Sequence, residues 1–204
     1  MPNRAAWAEV NLAAYAQNIE EIKKCVRPGA RLCMVVKADA YGHGAVPCAR
    51  VAVAHGASYL AVATISEGVE LREAGFTQPI LLLGLILPEE AADVVAYDIT
   101  QTVCTRELAA ALSAAAVAQG KTAKVHLKVE TGMGRIGVRP EEAAELAAYV
   151  AGLPGLMLEG VFSHFATADD RDKTYARAQL AAFQRALAAI EARGIHVPLR
   201  HIAE

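Results

Sequence analysis

Residues 32–44 read LCMVVKADAYGHG, an apolar run that ends in a lysine and is followed by two glycines. The run Leu32–Val36 has the length and composition of a buried strand. Lys37 follows it directly, and Gly42 and Gly44 are typical of a tight turn that leads into a helix. The stretch therefore predicts a strand, a charged residue at its carboxyl end and then a helix.

The same order of strand and helix recurs along the whole chain. Apolar strand-like runs begin near Leu32, Tyr59, Ile80, Ile99, Val125, Leu156 and His196, and helical patterns lie between them. Parallel neighbours in a sheet need a crossover connection, and a helix usually supplies it. The alternation therefore predicts an α/β fold whose parallel strands are covered by helices.

Several predicted helices carry their own boundary signals. Asn11 caps the first helix, and Thr64 with Glu67 forms a capping box. Further helix starts are marked by Pro88, Thr105 and Pro140. The last helix begins near Asp172, and its predicted apolar face comprises Leu180, Phe183, Leu187 and Ile190.

The number of strands bears on the completeness of the fold. A closed TIM-type (β/α)8 barrel takes about 250 residues, whereas this chain has 204 residues and reaches its seventh predicted strand near its end. An open barrel would leave two strand edges unpaired, which favours aggregation. We therefore expect an incomplete α/β barrel of seven strands, as a piece of a longer protein or completed by a second chain.

The composition excludes several classes of function. Hydrophobic residues make up 54% of the chain and charged residues 21%, which is enough for a packed core. A net charge of −2 and an aromatic content of 5% do not suit a nucleic-acid or membrane surface. The longest apolar run, Ile80–Leu87, is too short to span a membrane, and residues 1–4 lack the apolar segment of a signal peptide. We expect a cytoplasmic protein whose four cysteines are reduced and mostly buried.

Lys37 is expected at the carboxyl end of its strand, where barrel enzymes build their active sites. Partial removal from water favours the neutral amine, which is a nucleophile or a base. Tyr41 and the glycines after it suit the binding of an anionic group. The alternative is a lysine that extends from the strand end into solvent, with a glycine turn behind it.

A second polar set lies in residues 126–137, HLKVETGMGRIG, and a third in residues 160–169, GVFSHFATAD. Alternation places His126, Lys128 and Glu130 on one strand face, and the glycine loop presents Arg135, which is suited to gripping an oxygen anion. The alternative for this set is a solvated strand end with a Lys–Glu pair. His164 ends the next strand, where a catalytic and a structural role are both open.

The segments VVKADAYGHG, KVETGMGRIG and SHFATAD resemble, in order and interval, the N-terminal barrel of bacterial alanine racemases, which use pyridoxal 5′-phosphate. The resemblance covers essentially the whole chain. It implies a barrel over residues 11–204, truncated before strand 8, and a C-terminal β domain that this sequence lacks. It further implies that residues 1–10, including Trp7–Val10, pair with that β domain and that the active unit is a homodimer.

The resemblance also implies a role for each candidate residue. Lys37 would hold the cofactor as a Schiff base and serve as the base specific for D-alanine. Tyr41 would contact the cofactor phosphate, and His164 would lie near the cofactor ring. Arg135 would bind the phenolic oxygen of the cofactor and the carboxylate of the substrate. Lys128 matches a lysine that is often carbamylated, and the anionic carbamate would orient Arg135. The implied activity is two-base racemisation of L-alanine to D-alanine for peptidoglycan, without a metal.

Parts of the family's site are missing from this sequence. The opposite base in the family is a tyrosine from the partner's C-terminal domain, and an arginine on the eighth strand faces the pyridine nitrogen. The family's seventh strand reads His, a small or apolar residue, Ala, Asn and Ser, whereas His201-Ile202-Ala203 is followed here by Glu204. A carboxylate near a phosphate would be repulsive. We therefore expect the 204-residue chain to be inactive alone.

Two other functions stay open. A barrel that binds pyridoxal phosphate without racemising an amino acid would share the fold, although such proteins generally lack the TGMGR loop. A metal-dependent hydrolase would combine a carbamylated Lys128 with His126, His164 and His201, although it normally needs a His-x-His pair on the first strand.

Overall fold

The computed structural model describes residues 6–204, which contain seven strands and eight helices. The chain divides into two compact units, one ending at Ile80 and the other beginning at Leu81. The predicted N-terminal segment, residues 1–10, lies partly outside the described residues. Residues 6–10 have no regular secondary structure, and Trp7 is exposed. Pairing of this segment with a β domain stays a prediction.

The first unit alternates helices and strands. Its elements are α1 (Leu12–Cys25), β1 (Cys33–Val35), α2 (Lys37–Gly42), α3 (Ala45–Ala54), β2 (Tyr59–Val62) and α4 (Ile65–Glu73). The next strand, β3 (Ile80–Leu82), lies at the division. β1 and β2 are parallel, with Met34 opposite Leu60. The Leu60 N–H donates to the Pro79 carbonyl over 2.9 Å, just before β3.

The second unit continues the alternation. Its elements are a 3-10 turn (Pro88–Glu90), α5 (Ala91–Ala96), β4 (Thr100–Val103), α6 (Arg106–Ala118), β5 (Ala123–Lys128), α7 (Ala143–Ala151), β6 (Leu156–His164), α8 (Thr174–Glu191) and β7 (Leu199–Ala203). Strands β3 to β7 pair in chain order, and every pair is parallel. The register shifts beside Val125 and His126, where β6 carries one additional residue, Glu159.

These elements confirm the predicted α/β class. Strands and helices alternate as in a barrel, and seven of a barrel's eight strands are present among the described residues.

The predicted caps are also confirmed. The Asn11 side chain accepts the Ala14 N–H, and Thr64 and Glu67 form both halves of a capping box. Helices α1 and α4 therefore begin where short-range hydrogen bonding alone would start them.

Three expectations about burial are wrong. The first is that β1 is a buried strand, since Cys33 and Val35 are exposed on one face and only Val36, just after it, is fully buried. The second concerns the cysteines. All four are free, but Cys48 alone is buried, Cys104 is half-buried and the other two are exposed. Cys33 is accessible because the three-residue strand β1 has one open face. Cys25 is accessible because it lies on the outward side of α1.

The third concerns the apolar face of α8. Leu180 is exposed, and the buried stripe consists of Ala176, Gln179, Phe183, Ala186 and Ile190. Like the predicted face, this stripe has the spacing of one side of a helix, but Gln179 takes the place expected for Leu180.

None of the helices among residues 6–204 is long and apolar enough to cross a membrane.

Candidate active site

Lys37 lies where strand β1 ends and an unusual turn begins. The residues after it, Ala38 to Tyr41, make up most of the short element α2 and all have left-handed backbone angles, with φ between 51° and 56°. Element α2 is therefore a left-handed turn and not an ordinary right-handed helix. A non-glycine residue in this region is disfavoured by roughly 1–2 kcal/mol. The predicted turn is therefore present, but it begins before the glycines and is made of residues that need outside support.

Hydrogen bonds hold this left-handed turn at both ends. The Ala38 N–H donates to the Glu67 carboxylate over 2.8 Å, and the Ala40 N–H donates to the Val36 carbonyl over 2.9 Å. At the other end the Asp39 carboxylate accepts the Ala45 N–H over 2.6 Å, at the start of α3. The backbone that carries Lys37 is thereby fixed to two neighbouring helices.

The turn brings Lys37 and Tyr41 together. The Lys37 Nζ lies 5.8 Å from the centre of the Tyr41 ring, within reach of a cation–π attraction. Tyr41 is 63% exposed, so its hydroxyl is accessible to a ligand. Lys37 is half-buried. The first unit therefore presents an amine and a phenol side by side.

In the second unit, Lys128 ends strand β5 as a buried cation. Only 4% of the residue is exposed, and its Nζ lies 4.6 Å from the centre of the Phe162 ring. Burial lowers the pKa of Lys128 to about 8, against the opposing attraction of Glu130, and the charge of Arg135 lowers it further. The neutral share of this amine is therefore larger than that of an ordinary lysine.

Glu130 organises the glycine loop that follows β5. Its carboxylate accepts the N–H groups of Gly132, Gly134 (2.8 Å) and Arg135 (3.1 Å). Burial would raise the pKa of Glu130, but these N–H groups outweigh it and hold that pKa below its usual value. The alternative of a solvated strand end is wrong, because Lys128 is buried, and the hydrogen bonds described for the Glu130 carboxylate go to the loop that presents Arg135. Arg135 itself is exposed.

His164 ends strand β6 near these two cations. Burial lowers the pKa of His164, and the charges of Lys128 and Arg135 lower it further, opposed by Ala203 and Glu204. The structure thus brings Lys128, Arg135 and His164 into electrostatic range of one another in the second unit. Glu204 also accepts the Ala168 N–H, so its carboxylate is bonded to the loop after β6.

Two side chains of α8 that sequence reasoning missed brace these loops. Gln179 is 1% exposed, and its amide bonds to the Ala166 N–H, the His164 carbonyl and the Thr131 hydroxyl. The Tyr175 hydroxyl donates to the Gly132 carbonyl over 2.7 Å. The available signal was a polar residue at helical spacing from Phe183 and Ala176.

A pair of histidines lies beside Phe162 in the second unit. The His126 Nδ1 is 3.1 Å from the His201 Nε2, and the His126 Nε2 is 3.3 Å from the Glu159 carboxylate. The His201 ring stacks on Phe162 with centroids 4.7 Å apart. Burial lowers the pKa of His201 to about 3, so this ring is neutral at physiological pH. Across residues 6–204, no three His, Cys, Asp or Glu side chains are grouped to hold a metal ion.

The chain matches a family model over nearly its whole length. The model described as alanine racemase, N-terminal domain, matches residues 10–204. Among curated proteins, the alanine racemase of Desulfovibrio desulfuricans is 53% identical over 201 residues, which are 98% of this chain and 54% of that protein. The alanine racemase of Desulforamulus reducens is 52% identical over 199 residues, 97% of this chain and 54% of that protein. The chain spans about half the length of the curated relatives it matches.

Solved structures show the same relationship. An alanine racemase of Clostridium difficile 630 in complex with cycloserine superposes with a TM-score of 0.95 at 37% identity, over 99% of this chain and 56% of that one. The alanine racemase of Bacillus anthracis with bound L-Ala-P has a TM-score of 0.90 at 37% identity, over 98% of this chain and 52% of that one. Sequence and fold agree, and the chain belongs to the alanine racemase family, whose N-terminal domain it matches.

Proposed function

We propose that the whole protein interconverts L-alanine and D-alanine with pyridoxal 5′-phosphate held at Lys37. The observation that carries the proposal is the position of Lys37, whose amine follows β1 on a backbone fixed by hydrogen bonds. The family membership of residues 10–204 supplies the reaction class. Supply of D-alanine for peptidoglycan, a homodimeric active unit and a cytoplasmic location are further parts of this proposal.

The residues present fit such a cofactor. Its aldehyde needs an amine, which the half-buried Lys37 offers, and its phosphate needs donors, of which the exposed Tyr41 hydroxyl is one. Its phenolic oxygen and the carboxylate of alanine are both anionic. Arg135 can bind both, because its guanidinium is permanently charged and carries several N–H donors in a forked arrangement. When bound, the cofactor would act as an electron sink that delocalises the charge left after loss of the alanine Cα proton.

In this proposal Lys37 has two tasks. Its nitrogen holds the cofactor, and when released it takes or returns the Cα proton on the D-alanine side. Inversion needs a second base on the opposite face. The family resemblance assigns that base to a tyrosine of the partner's C-terminal domain.

Arg135 binds the substrate carboxylate, and the loop that carries it must hold a fixed shape for that purpose. The Glu130 hydrogen bonds to Gly132, Gly134 and Arg135 support this role. His164, close to the same cations, would lie beside the cofactor ring as a neutral side chain, because its lowered pKa disfavours protonation.

We also propose that Lys128 is carbamylated. The neutral amine attacks carbon dioxide, an N–C bond forms and one proton is released, which leaves an anionic carbamate. The lowered pKa of Lys128, about 8, supports the proposal because it raises the share of the reactive neutral amine. A carbamate would attract Arg135, whereas the ammonium repels it.

The proposed function is tested by borohydride trapping and by assay. The complete gene product is incubated with pyridoxal 5′-phosphate, reduced with borohydride and mapped by mass spectrometry, while D-alanine formation from L-alanine is measured separately. We expect the reduced adduct on Lys37, its absence in Lys37→Ala, and racemisation only in the wild type.

The two readouts separate the alternatives. An adduct on Lys37 without racemisation would leave a protein that binds pyridoxal phosphate but is not a racemase. An adduct on another residue, or none, would contradict the proposal.

A further inference from the structure

The Glu67 carboxylate caps the start of helix α4 and also accepts a hydrogen bond from a residue far away in the sequence. Its Oε2 accepts the Ala63 N–H (2.7 Å) and the Thr64 N–H (3.2 Å), which completes the capping box. Its Oε1 accepts the Ala38 N–H over 2.8 Å, from a residue 29 positions earlier in the chain. The capping box explains the hydrogen bonds to Oε2 but not the hydrogen bond from Ala38 to Oε1.

The bond from Ala38 falls at the junction between β1 and the left-handed turn. Ala38 is the first of the four left-handed residues, and Lys37 precedes it directly. The direction in which the Lys37 side chain leaves the backbone depends on the angles on either side of this junction. A bond to the Ala38 N–H therefore acts on the residue that bears the amine.

The other hydrogen bonds described for the turn come from nearby in sequence. The Ala40 N–H bonds to Val36, the Gly44 N–H to Asp39 and the Ala45 N–H to the Asp39 side chain. These bonds shape the turn and join it to α3, and the Val36 N–H, just before Lys37, donates to the Ala61 carbonyl of β2 over 2.8 Å. The Glu67 carboxylate ties the turn to α4, and it is a charged acceptor, whose hydrogen bonds are stronger than those of a neutral one.

We propose that Glu67 is a positioning residue for Lys37, fixing the left-handed backbone from which the reactive amine projects. It touches neither the cofactor nor the substrate and acts through the Ala38 N–H. The inference rests on the proposed function, since it concerns the amine that would hold the cofactor. It predicts that loss of the carboxylate slows condensation at Lys37 more than loss of the helix cap does.

Four variants of the complete gene product separate positioning from capping. Glu67→Ala removes both tasks, and Glu67→Gln keeps the cap position and one acceptor oxygen. Thr64→Ala removes the other half of the capping box and leaves the bond to Ala38 in place. Glu70→Ala, at an exposed position on the same helix, controls for loss of one negative charge.

Two measurements are made on each variant. The first is the rate at which the Lys37 amine and the aldehyde of pyridoxal 5′-phosphate form a C=N bond with loss of water, read as the reduced adduct after borohydride adds a hydride. The second is amide hydrogen exchange in residues 36–44. We expect Glu67→Ala to slow adduct formation roughly tenfold or more and to speed exchange in this segment, with a smaller effect of Glu67→Gln. Thr64→Ala and Glu70→Ala should behave like the wild type in both measurements.

The outcomes distinguish the inference from the function beneath it. If Glu67→Ala and Thr64→Ala slow the adduct equally, Glu67 is only a cap and the inference is wrong. Unchanged exchange in residues 36–44 of Glu67→Ala would overturn it as well, whatever the adduct does. A wild type that forms no adduct on Lys37 would instead refute the proposed function, while the exchange data would still decide whether Glu67 holds the turn.

Discussion

The Gln179 Nε2 donates a hydrogen bond to the His164 carbonyl over 3.1 Å, so helix α8 holds the end of strand β6 through one side chain. The same amide accepts the Ala166 N–H over 3.0 Å. Because Gln179 is almost fully buried, water cannot readily replace it at these backbone groups. The position of His164 therefore depends on a residue of the following helix.

Replacing Gln179 by Leu should destabilise the protein. The Ala166 N–H and the His164 carbonyl would lose their partner inside the fold, at a cost of about 1–3 kcal/mol in the free energy of unfolding. Urea unfolding followed by circular dichroism measures this change. Gln184→Leu, at an exposed position of the same helix, should change stability little, and equal effects of the two variants would contradict the role of Gln179.

Gly137 is confined by the strand that it approaches. A Cβ there would lie 2.6 Å from the Glu130 backbone nitrogen, and its φ is 133°. Because backbone rather than a flexible side chain stands in the way, we expect Gly137→Ala to cost roughly 1–3 kcal/mol or more and to disturb the loop that carries Arg135.

Gly134→Ala is the matched control for that substitution. Gly134 also has a positive φ, of 73°, but a Cβ there meets nothing within 4 Å. It should cost about 1 kcal/mol, from backbone strain alone. Thermal unfolding of both variants tests the difference, and a Gly134 variant as unstable as the Gly137 variant would show that steric contact is not the cause.

Lys128 should make stability rise with pH in the alkaline range. Its pKa is lowered from 10.5 to about 8 in the folded protein, chiefly by burial, so between these values the unfolded chain binds more protons than the folded one. The free energy of unfolding of the unmodified protein should therefore increase between about pH 8 and 10.5, by at most about 1.4 kcal/mol per pH unit. Chemical unfolding in carbon-dioxide-free buffer, compared with Lys128→Met, isolates this contribution. Identical pH slopes in the two proteins would argue against a buried amine.

Carbamylation of Lys128 has its own signature. In buffer containing 13C-bicarbonate, the wild type should show a carbamate carbon signal in its NMR spectrum. Lys128→Arg should lack that signal, because a guanidinium does not form a carbamate under these conditions. A signal of equal strength in both proteins would place the modification elsewhere.

His201 should make the protein sensitive to acid. Burial lowers its pKa from 6.5 to about 3, so below pH 6.5 the unfolded chain takes up a proton that the folded chain does not. Stability should therefore fall as the pH is lowered from about 6.5 toward 3. His201→Gln should flatten this part of the profile, whereas His196→Gln, at an exposed position, should keep it. Parallel acid profiles for wild type and His201→Gln would contradict the prediction.

Much of the fold was predictable because its signals are local. The apolar runs before Lys37 and His164 mark strand ends, and the Asn11 and Thr64 caps mark helix starts, since hydrophobic period and capping depend on residues within a few positions. Lys37 and Tyr41 share one turn and were predictable together for the same reason. The burial of β1 and of Leu180 was not, because which face is covered depends on the elements packed against it.

Local pattern and chain order therefore account for the strand–helix series, the candidate residues and the family to which they belong. Within each unit, the arrangement of the polar residues depends on bonds between residues far apart in the chain: Ala38 to Glu67 in the first unit, and the His164 carbonyl to Gln179 and His126 to His201 in the second. No spacing rule predicts those partners, because each pair meets only after strands and helices have packed. The left-handed turn after Lys37 shows the same limit, since its non-glycine residues disfavour that backbone and the surrounding structure holds them in it.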